Sequence, residues 1–281
     1  MPRKKNATSG ASKRRRFDSG GSGLFCHAEK LPCPLLPAEN ANHFVIHLPF
    51  SAVSIIINPM KTKIAILTDF DGTVTTEDVS MRIYEKFASA PCPCLNQMWA
   101  EGTASTMQEL EGCFATITAT REQMEKEIQR IDFDPGFSRL IALCRKESIP
   151  LSILSDGLDW YIRFLLEKNG IGEIPVYANH IAFTPDGFRF SYPWFDPQNP
   201  MRGVWKPTLI RKFQADGYRV VFIGDGLTDT DAARAADVLF AKEVLYHYCR
   251  AHGIPSIPYE NMLDAVSILK SRVLPATTSK E

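Results

Sequence analysis

No apolar run in this chain reaches the roughly 18–20 residues needed to cross a bilayer, so no membrane span is expected. Net charge is also absent: 32 Lys and Arg balance 32 Asp and Glu. The balance is uneven along the chain. Residues 1–60 hold eight Lys and Arg against three Asp and Glu, and the remainder is acidic by the same margin. With no basic excess after residue 60, nucleic acid is not expected as a partner. Cysteine signatures are missing as well. Seven Cys make an odd count, and their spacing matches no zinc or disulfide framework. Cys92-Pro93-Cys94 is the closest pair and has no second pair to complete a metal site. Reduced, mostly buried thiols in a reducing, cytoplasmic setting are therefore expected.

What is present suits a globular protein, with 44% hydrophobic and 23% charged residues over 281 positions. Residues 1–42 read as disordered, with basic clusters at Arg3-Lys4-Lys5 and Lys13-Arg14-Arg15-Arg16 in a Ser/Gly-rich background. A solvated tail is the simpler reading; a nuclear address is the other. Residues 43–57 are apolar, but His47 and Pro49 interrupt them and no signal-peptide arrangement is visible. Met60 stands just before the first convincing strand. The functional protein is expected to begin near it, residues 1–59 being an extension or a misassigned start.

Beyond residue 60, strands alternate with helices, which predicts an α/β core with a parallel, right-handed sheet. Apolar strands are expected at 64–67, 149–154, 174–179, 218–223 and 238–241. A hairpin with Asp186-Gly187 as its turn is expected over 181–190. The segment between the first two strands is different. It shows a helix over 78–90, a capping box at Thr120 and Gln123, a helix over 137–147 and no plausible strand between 95 and 131. The expected division is an extension over 1–60, a core over 61–79 and 133–273, a helical cap over 80–132 and a tail over 274–281.

The chain is organised around residues 64–74. Ile64-Ala65-Ile66-Leu67 runs without alternation into Asp69-Phe70-Asp71-Gly72-Thr73, as a strand buried on both faces would. The two carboxylates then sit at the strand's C-terminal end, where open α/β sheets place their ligands. Such a pair repels itself, so one carboxyl is protonated or a cation lies between them. A strand end with an Asx turn is the plain alternative. Three further strand-end or helix-start groups follow in order: Ser155-Asp156-Gly157, then Lys206-Pro207, then Gly224-Asp225-Gly226-Leu227-Thr228-Asp229.

Together these resemble the four motifs of the haloacid dehalogenase (HAD) superfamily, over about residues 62–272. The resemblance implies a Rossmann-like core with a helical cap between the first two motifs. It also implies a Mg²⁺-dependent phosphatase acting on a small-molecule phosphate ester through an aspartyl-phosphate. Asp69 is then the nucleophile, and Asp71 the general acid with a raised pKa caused by its carboxylate neighbours. Thr73, Ser155, Asp156, Gly157 and Lys206 handle the phosphate. Asp69, Asp71, Asp225 and Asp229 serve the metal.

The texture resembles the C1-capped branch, nearest its methionine-salvage enol-phosphate phosphatases. Phosphoserine and phosphocholine/phosphoethanolamine phosphatases stand as alternatives. Phosphoserine phosphatases carry Glu where this chain has Asp78, and usually Ser where it has Gly72. Asp78 is read either as a specificity residue or as a helix cap. A receiver domain is disfavoured by length. A non-catalytic HAD-like binding protein is disfavoured by the intact motif residues, and a phosphomutase remains open.

Overall fold

The computed structural model describes residues 63–274. The basic clusters, the apolar stretch 43–57, the expected start near Met60 and the tail beyond 274 lie outside the described residues. Seven strands form one sheet: β1 (Lys63–Thr68), β2 (Leu151–Leu158), β3 (Val176–Thr184), β4 (Gly187–Ser191), β5 (Tyr218–Gly224), β6 (Val238–Ala241) and β7 (Ile257–Pro258). Their order is β4-β3-β2-β1-β5-β6-β7. Only the β3–β4 pair is antiparallel.

The central position of β1 explains its composition. It pairs with β2 on one side and β5 on the other, and Ile64 through Thr68 are all buried. Alternate side chains feed opposite faces of the sheet. Val221 and Ile223 of β5 enter one apolar cluster with Ile64 and Ile66; Val220 and Phe222 enter a second with Leu67. Helices α5 (Phe137–Glu147) and α6 (Asp159–Lys168) lie on the first face, with α10 (Met262–Ile268). Helices α7 (Lys206–Ala215), α8 (Thr230–Ala233) and α9 (Glu243–Ala251) cover the second.

Four helices stand between β1 and α5: α1 (Val79–Phe87), α2 (Cys92–Ala100), α3 (Thr106–Phe114) and α4 (Arg121–Ile128). Chain entry and exit are laced together at 74–76 and 132–134. Thr76 donates to the Asp132 carbonyl at 2.9 Å, and the Asp134 amide donates to the Val74 carbonyl at 2.8 Å. Ser105 with Gln108, and Thr120 with Gln123, form capping boxes that start α3 and α4. Phe114 anchors this cap, meeting Tyr84, Phe188 and Phe190 edge-to-face with centroids 5.9, 5.1 and 5.5 Å away. Phe188 and Phe190 share one face of β4, so the hairpin supports the cap from below.

Two expectations are corrected. The third strand and the first arm of the hairpin are one continuous strand, β3. Asn179, at the expected break, is fully buried and donates to the Asp156 carbonyl at 2.6 Å instead of turning the chain. The cysteines are not all reduced either: Cys92 and Cys113 are disulfide-bonded. The α2–α3 hairpin brings their Cα atoms to 4.5 Å, a juxtaposition that a separation of 21 residues does not advertise. Cys144 and Cys249 are free and buried, as expected. No helix of the described residues is long and apolar enough to cross a membrane.

Candidate active site

The C-terminal ends of β1, β2 and β5 converge, and the loops that follow them build the site. After β1 the chain turns tightly around the Phe70 carbonyl, which accepts from the amides of Thr73, Val74 and Thr75 at 3.2, 2.8 and 3.0 Å. Gly72 sits in this turn at φ +76, and a Cβ there would lie 2.5 Å from Asp225 Oδ2. Glycine is therefore required on both conformational and steric grounds.

Asp69, Lys206 and Asp229 form a buried row. The Lys206 Nζ donates to Asp69 Oδ1 at 2.7 Å and to Asp229 Oδ1 at 2.6 Å. Asp229 also accepts from the amides of Asp225 and Gly226, at 3.0 and 3.2 Å, and is fully buried. Burial pulls the Lys206 ammonium down, and Asp229 and Asp69 more than offset this, leaving it above its ordinary value. Burial, and then the Asp229 charge, raise Asp69 well above the usual carboxylate range against the pull of Lys206. Asp225 is pushed up to about 7 by burial and then by Asp229. The fully buried Thr73 donates to Asp225 Oδ1. Carboxylate oxygens of Asp69, Asp225 and Asp229 lie within 4.8 Å of one another.

Asp71 is held differently. One oxygen accepts from the Val79 amide at 3.0 Å; the other accepts from Tyr161 Oη at 2.9 Å and Ser155 Oγ at 3.2 Å. Its pKa is pushed up to about 7, by burial first and the Asp78 charge second. The expected direction holds, but desolvation outranks the neighbouring carboxylates as its cause. Gly157 fits because a Cβ there would lie 2.6 Å from Asp71 Oδ2 and closer still to the Tyr161 hydroxyl.

The remaining motif residues divide by position. Asp69, Asp71, Ser155, Asp156, Gly157 and Asp225 line a cavity of about 310 Å³ under the cap. Thr73, Lys206 and Asp229 do not line it; they are buried and reach it only through their contacts with Asp225 and Asp69. Asp156 accepts from Thr106 Oγ1 at 2.6 Å, the Val204 amide at 2.8 Å and Asn179 Nδ2 at 3.3 Å. It ties the cap to the core. Asp78 caps α1 by accepting from the Met81 amide at 2.9 Å, and it also lines the cavity, so the two readings of it coexist.

Sequence reasoning missed Tyr161 and Glu109. Tyr161, in the first turn of α6, is fully buried, and its hydroxyl is partnered by Asp71 and by Ser80 at 3.1 Å. A tyrosine just after a strand-end motif was the available signal. Glu109 interrupts the α3 stripe Thr106, Leu110, Cys113 with an acid, and a charge on a buried face asks for a reason. The cavity lining also holds the acids Glu77 and Glu243, the hydroxyls of Thr76, Ser80 and Thr228, and an apolar part made by Met81, Trp99, Leu110 and Leu227. Among the described residues, no Lys, Arg or His side chain lines it.

Comparison with known proteins agrees with this architecture. The haloacid dehalogenase-like hydrolase model matches residues 66–234. A 2-hydroxy-3-keto-5-methylthiopentenyl-1-phosphate phosphatase from Exiguobacterium sibiricum is 30% identical over 213 residues, covering 74% of this chain and 97% of the relative. The enzyme of the same name from Geobacillus kaustophilus is 30% identical over 223 residues, covering 75% and 97%. Among solved structures, a phosphoserine phosphatase with a phospho-aspartyl intermediate analogue superposes with a TM-score of 0.57 at 21% identity. It covers 75% of this chain and 99% of its own. At that identity the likeness speaks for the fold.

Proposed function

We propose Mg²⁺-dependent hydrolysis of a small phosphate monoester with an uncharged organic end for this chain, which belongs to the haloacid dehalogenase-like hydrolases and, among them, to the phosphatases. The specific reading is the phosphate named for its curated relatives, 2-hydroxy-3-keto-5-methylthiopentenyl-1-phosphate. The observation that carries it is the cavity lining. A substrate carboxylate, as in phosphoserine, would meet acids and no basic side chain there. A methylthio tail would meet Met81, Trp99, Leu110 and Leu227, which bury apolar and sulfur groups well.

The chain's own residues supply the chemistry. The Asp69 carboxylate attacks phosphorus, the ester P–O bond breaks, and the leaving oxygen takes its proton from Asp71. A carboxyl pushed up to about 7 holds such a proton near neutrality. In the second half Asp71 takes a proton from water, whose oxygen attacks the aspartyl-phosphate. The bond to Asp69 breaks and inorganic phosphate leaves. Tyr161 and Ser155 fix the Asp71 carboxyl, and Ser155 is free to turn its hydrogen to a phosphoryl oxygen when Asp71 holds the proton. Lys206 compensates Asp69 from below.

The donor set suits a hard divalent cation: carboxylate oxygens of Asp69 and Asp225 lie close together in a strongly acidic spot, and the Asp71 backbone carbonyl would be the chain's third ligand. Asp229, whose oxygens already accept from Lys206 and two amides, acts mainly by holding the Asp225 loop. Bound Mg²⁺ supplies charge neutralisation for the phosphoryl oxygens.

The test is phosphate release from a panel holding the enol phosphate, phosphoserine, phosphocholine and phosphoethanolamine, with and without Mg²⁺. Release from the enol phosphate should exceed the others, require Mg²⁺ and vanish in Asp69→Asn. A preference for phosphoserine would overturn the substrate reading; release surviving in Asp69→Asn would overturn the nucleophile.

A further inference from the structure

Glu109 lies on the cap, outside every motif, and nothing in the mechanism uses it. We propose that its carboxyl hydrogen-bonds an uncharged oxygen on the substrate's carbon chain, a ketone or enol hydroxyl, and so selects oxygenated phosphate esters over plain alkyl ones. This rests on the phosphatase reading above and adds to it the residue that reads the organic end.

The argument begins with α3. Its capping box fixes the helix start at Ser105, and the Glu109 amide returns to the Ser105 carbonyl at 3.0 Å. That register aims the Glu109 side chain into the cavity beside Thr106 and Leu110. The residue is only 8% exposed, yet its carboxyl makes no hydrogen bond and no ion pair with any described residue. A carboxyl left without a protein partner on a mostly buried face gains the fold nothing. A carboxyl turned into the cavity without a protein partner defines a place for a ligand's polar atom.

The surroundings decide the chemistry of that atom. Asp78 and Tyr84 face Glu109 from α1, and Asp156 faces it from β2. Burial, then Asp78 and Asp156, push its pKa up to about 8. Glu109 is therefore a neutral acid near pH 7, with an O–H to donate. A ketone or enol oxygen accepts that bond without bringing a further negative charge among these acids. Position helps as well: the phosphate end is fixed at Asp69 and Asp71, and the cap wall meets the carbon chain beyond it.

Hydroxyacetone phosphate and n-propyl phosphate are the probes, since they differ at the ketone and terminal hydroxyl while sharing the phosphate and the chain length. The full-length wild type, Glu109→Leu and Glu109→Gln are compared for kcat and KM in saturating Mg²⁺. The wild type should prefer the ketone probe. Glu109→Leu should raise KM for hydroxyacetone phosphate about tenfold, with KM for propyl phosphate moving less than about twofold. Glu109→Gln, whose amide still donates, should recover most of the loss. Glu109→Leu should also melt at or above the wild-type temperature, which a residue kept for stability would not do.

Equal treatment of the two probes by the wild type, including turnover of neither, overturns the proposal. So does an equal loss on both probes in Glu109→Leu, or a phosphoethanolamine preference that Glu109→Gln abolishes. If the wild type discriminates between the probes through Glu109 yet ignores the enol phosphate, the substrate reading fails and the role of Glu109 stands.

Discussion

Lys206→Met removes the only cation in the buried row of Asp69, Lys206 and Asp229. In the wild type its ammonium is 1% exposed and bridges Asp69 at 2.7 Å and Asp229 at 2.6 Å. The substitution leaves two carboxyls in a dry site with no counter-charge. Breaking a buried pair by deleting one partner costs about 3–5 kcal/mol. For a domain of this size each kcal/mol moves Tm by about 2–4 °C, so the variant should melt about 6–20 °C lower. Activity should fall by at least about a hundredfold, because a preorganised charge beside the reacting group is lost. The assay is thermal unfolding by circular dichroism in EDTA, with phosphate release measured in Mg²⁺. Adding Asp229→Asn to Lys206→Met should restore part of the stability, since it removes one uncompensated acid. A melt within about 2 °C of wild type would refute the view that Lys206 is the counter-charge of this row. Activity within tenfold of wild type would refute it equally.

Three further outcomes follow from separate features. Gly72→Ala should abolish activity while costing about 1–2 kcal/mol of backbone strain, because its Cβ would press on Asp225 at a φ of +76; retained turnover would show that the turn can yield. Glu109 carries a folded-state pKa raised to about 8, so the native state holds a proton that the unfolded state gives up near pH 4.5. Stability tied to it is present below that range and lost as pH rises through 8; Glu109→Gln should flatten this part of a Tm-against-pH curve, and superimposable curves would count against the shift. Reducing Cys92–Cys113, which closes a loop of 21 residues, should loosen the cap by about 2–4 kcal/mol, seen as faster amide exchange in α2 and α3; unchanged exchange would mean that packing around Phe114 suffices.

The core was legible because its signals are local. A non-alternating apolar run ending in Asp69 and Asp71 announces a buried strand and a strand-end site with few competing readings. Phe137–Glu147 and the Thr120 capping box were readable for the same reason: helix periodicity and caps are written within four residues. What stayed hidden depends on long-range neighbours. Asn179 looks like a turn residue until Asp156 is seen to accept from it. Cys92 and Cys113 have no meaning until two cap helices are folded together. The contact of Lys206 with Asp69 was legible, but its second contact, with Asp229, and that of Thr73 with Asp225 join elements far apart in sequence, which spacing does not encode. Glu109 was the hardest to see, since a lone acid in a helix is ordinarily a solvated one.

The charge distribution carries one last consequence. Asp69 and Asp229 share the Lys206 ammonium, and the cavity is lined by Asp69, Asp71, Asp225 and the further acids Glu77, Asp78, Glu109, Asp156 and Glu243, with no basic side chain lining it among the described residues. A phosphate dianion entering alone would meet carboxylates at close range. Partial protonation relieves some of this, since Asp71 and Asp225 are both pushed up to about 7, by burial first and by carboxylate neighbours second. It cannot supply positive charge. A divalent cation held by the clustered carboxylates would, so metal and phosphate should bind with positive coupling. Coupling free energies between sites commonly amount to about 1–3 kcal/mol, or about 5–150-fold in affinity. Direct contact of opposite charges in a secluded site belongs at the upper end of that range. Calorimetric titration of Mg²⁺ into the protein should give at least a tenfold tighter Kd with saturating inorganic phosphate than without it. By reciprocity, phosphate should bind at least tenfold tighter in Mg²⁺ than in EDTA. An unchanged Mg²⁺ affinity would mean that the cation does not share the phosphate's site. The acidic trio would then be a folding device built around Lys206 rather than half of a phosphate-binding centre.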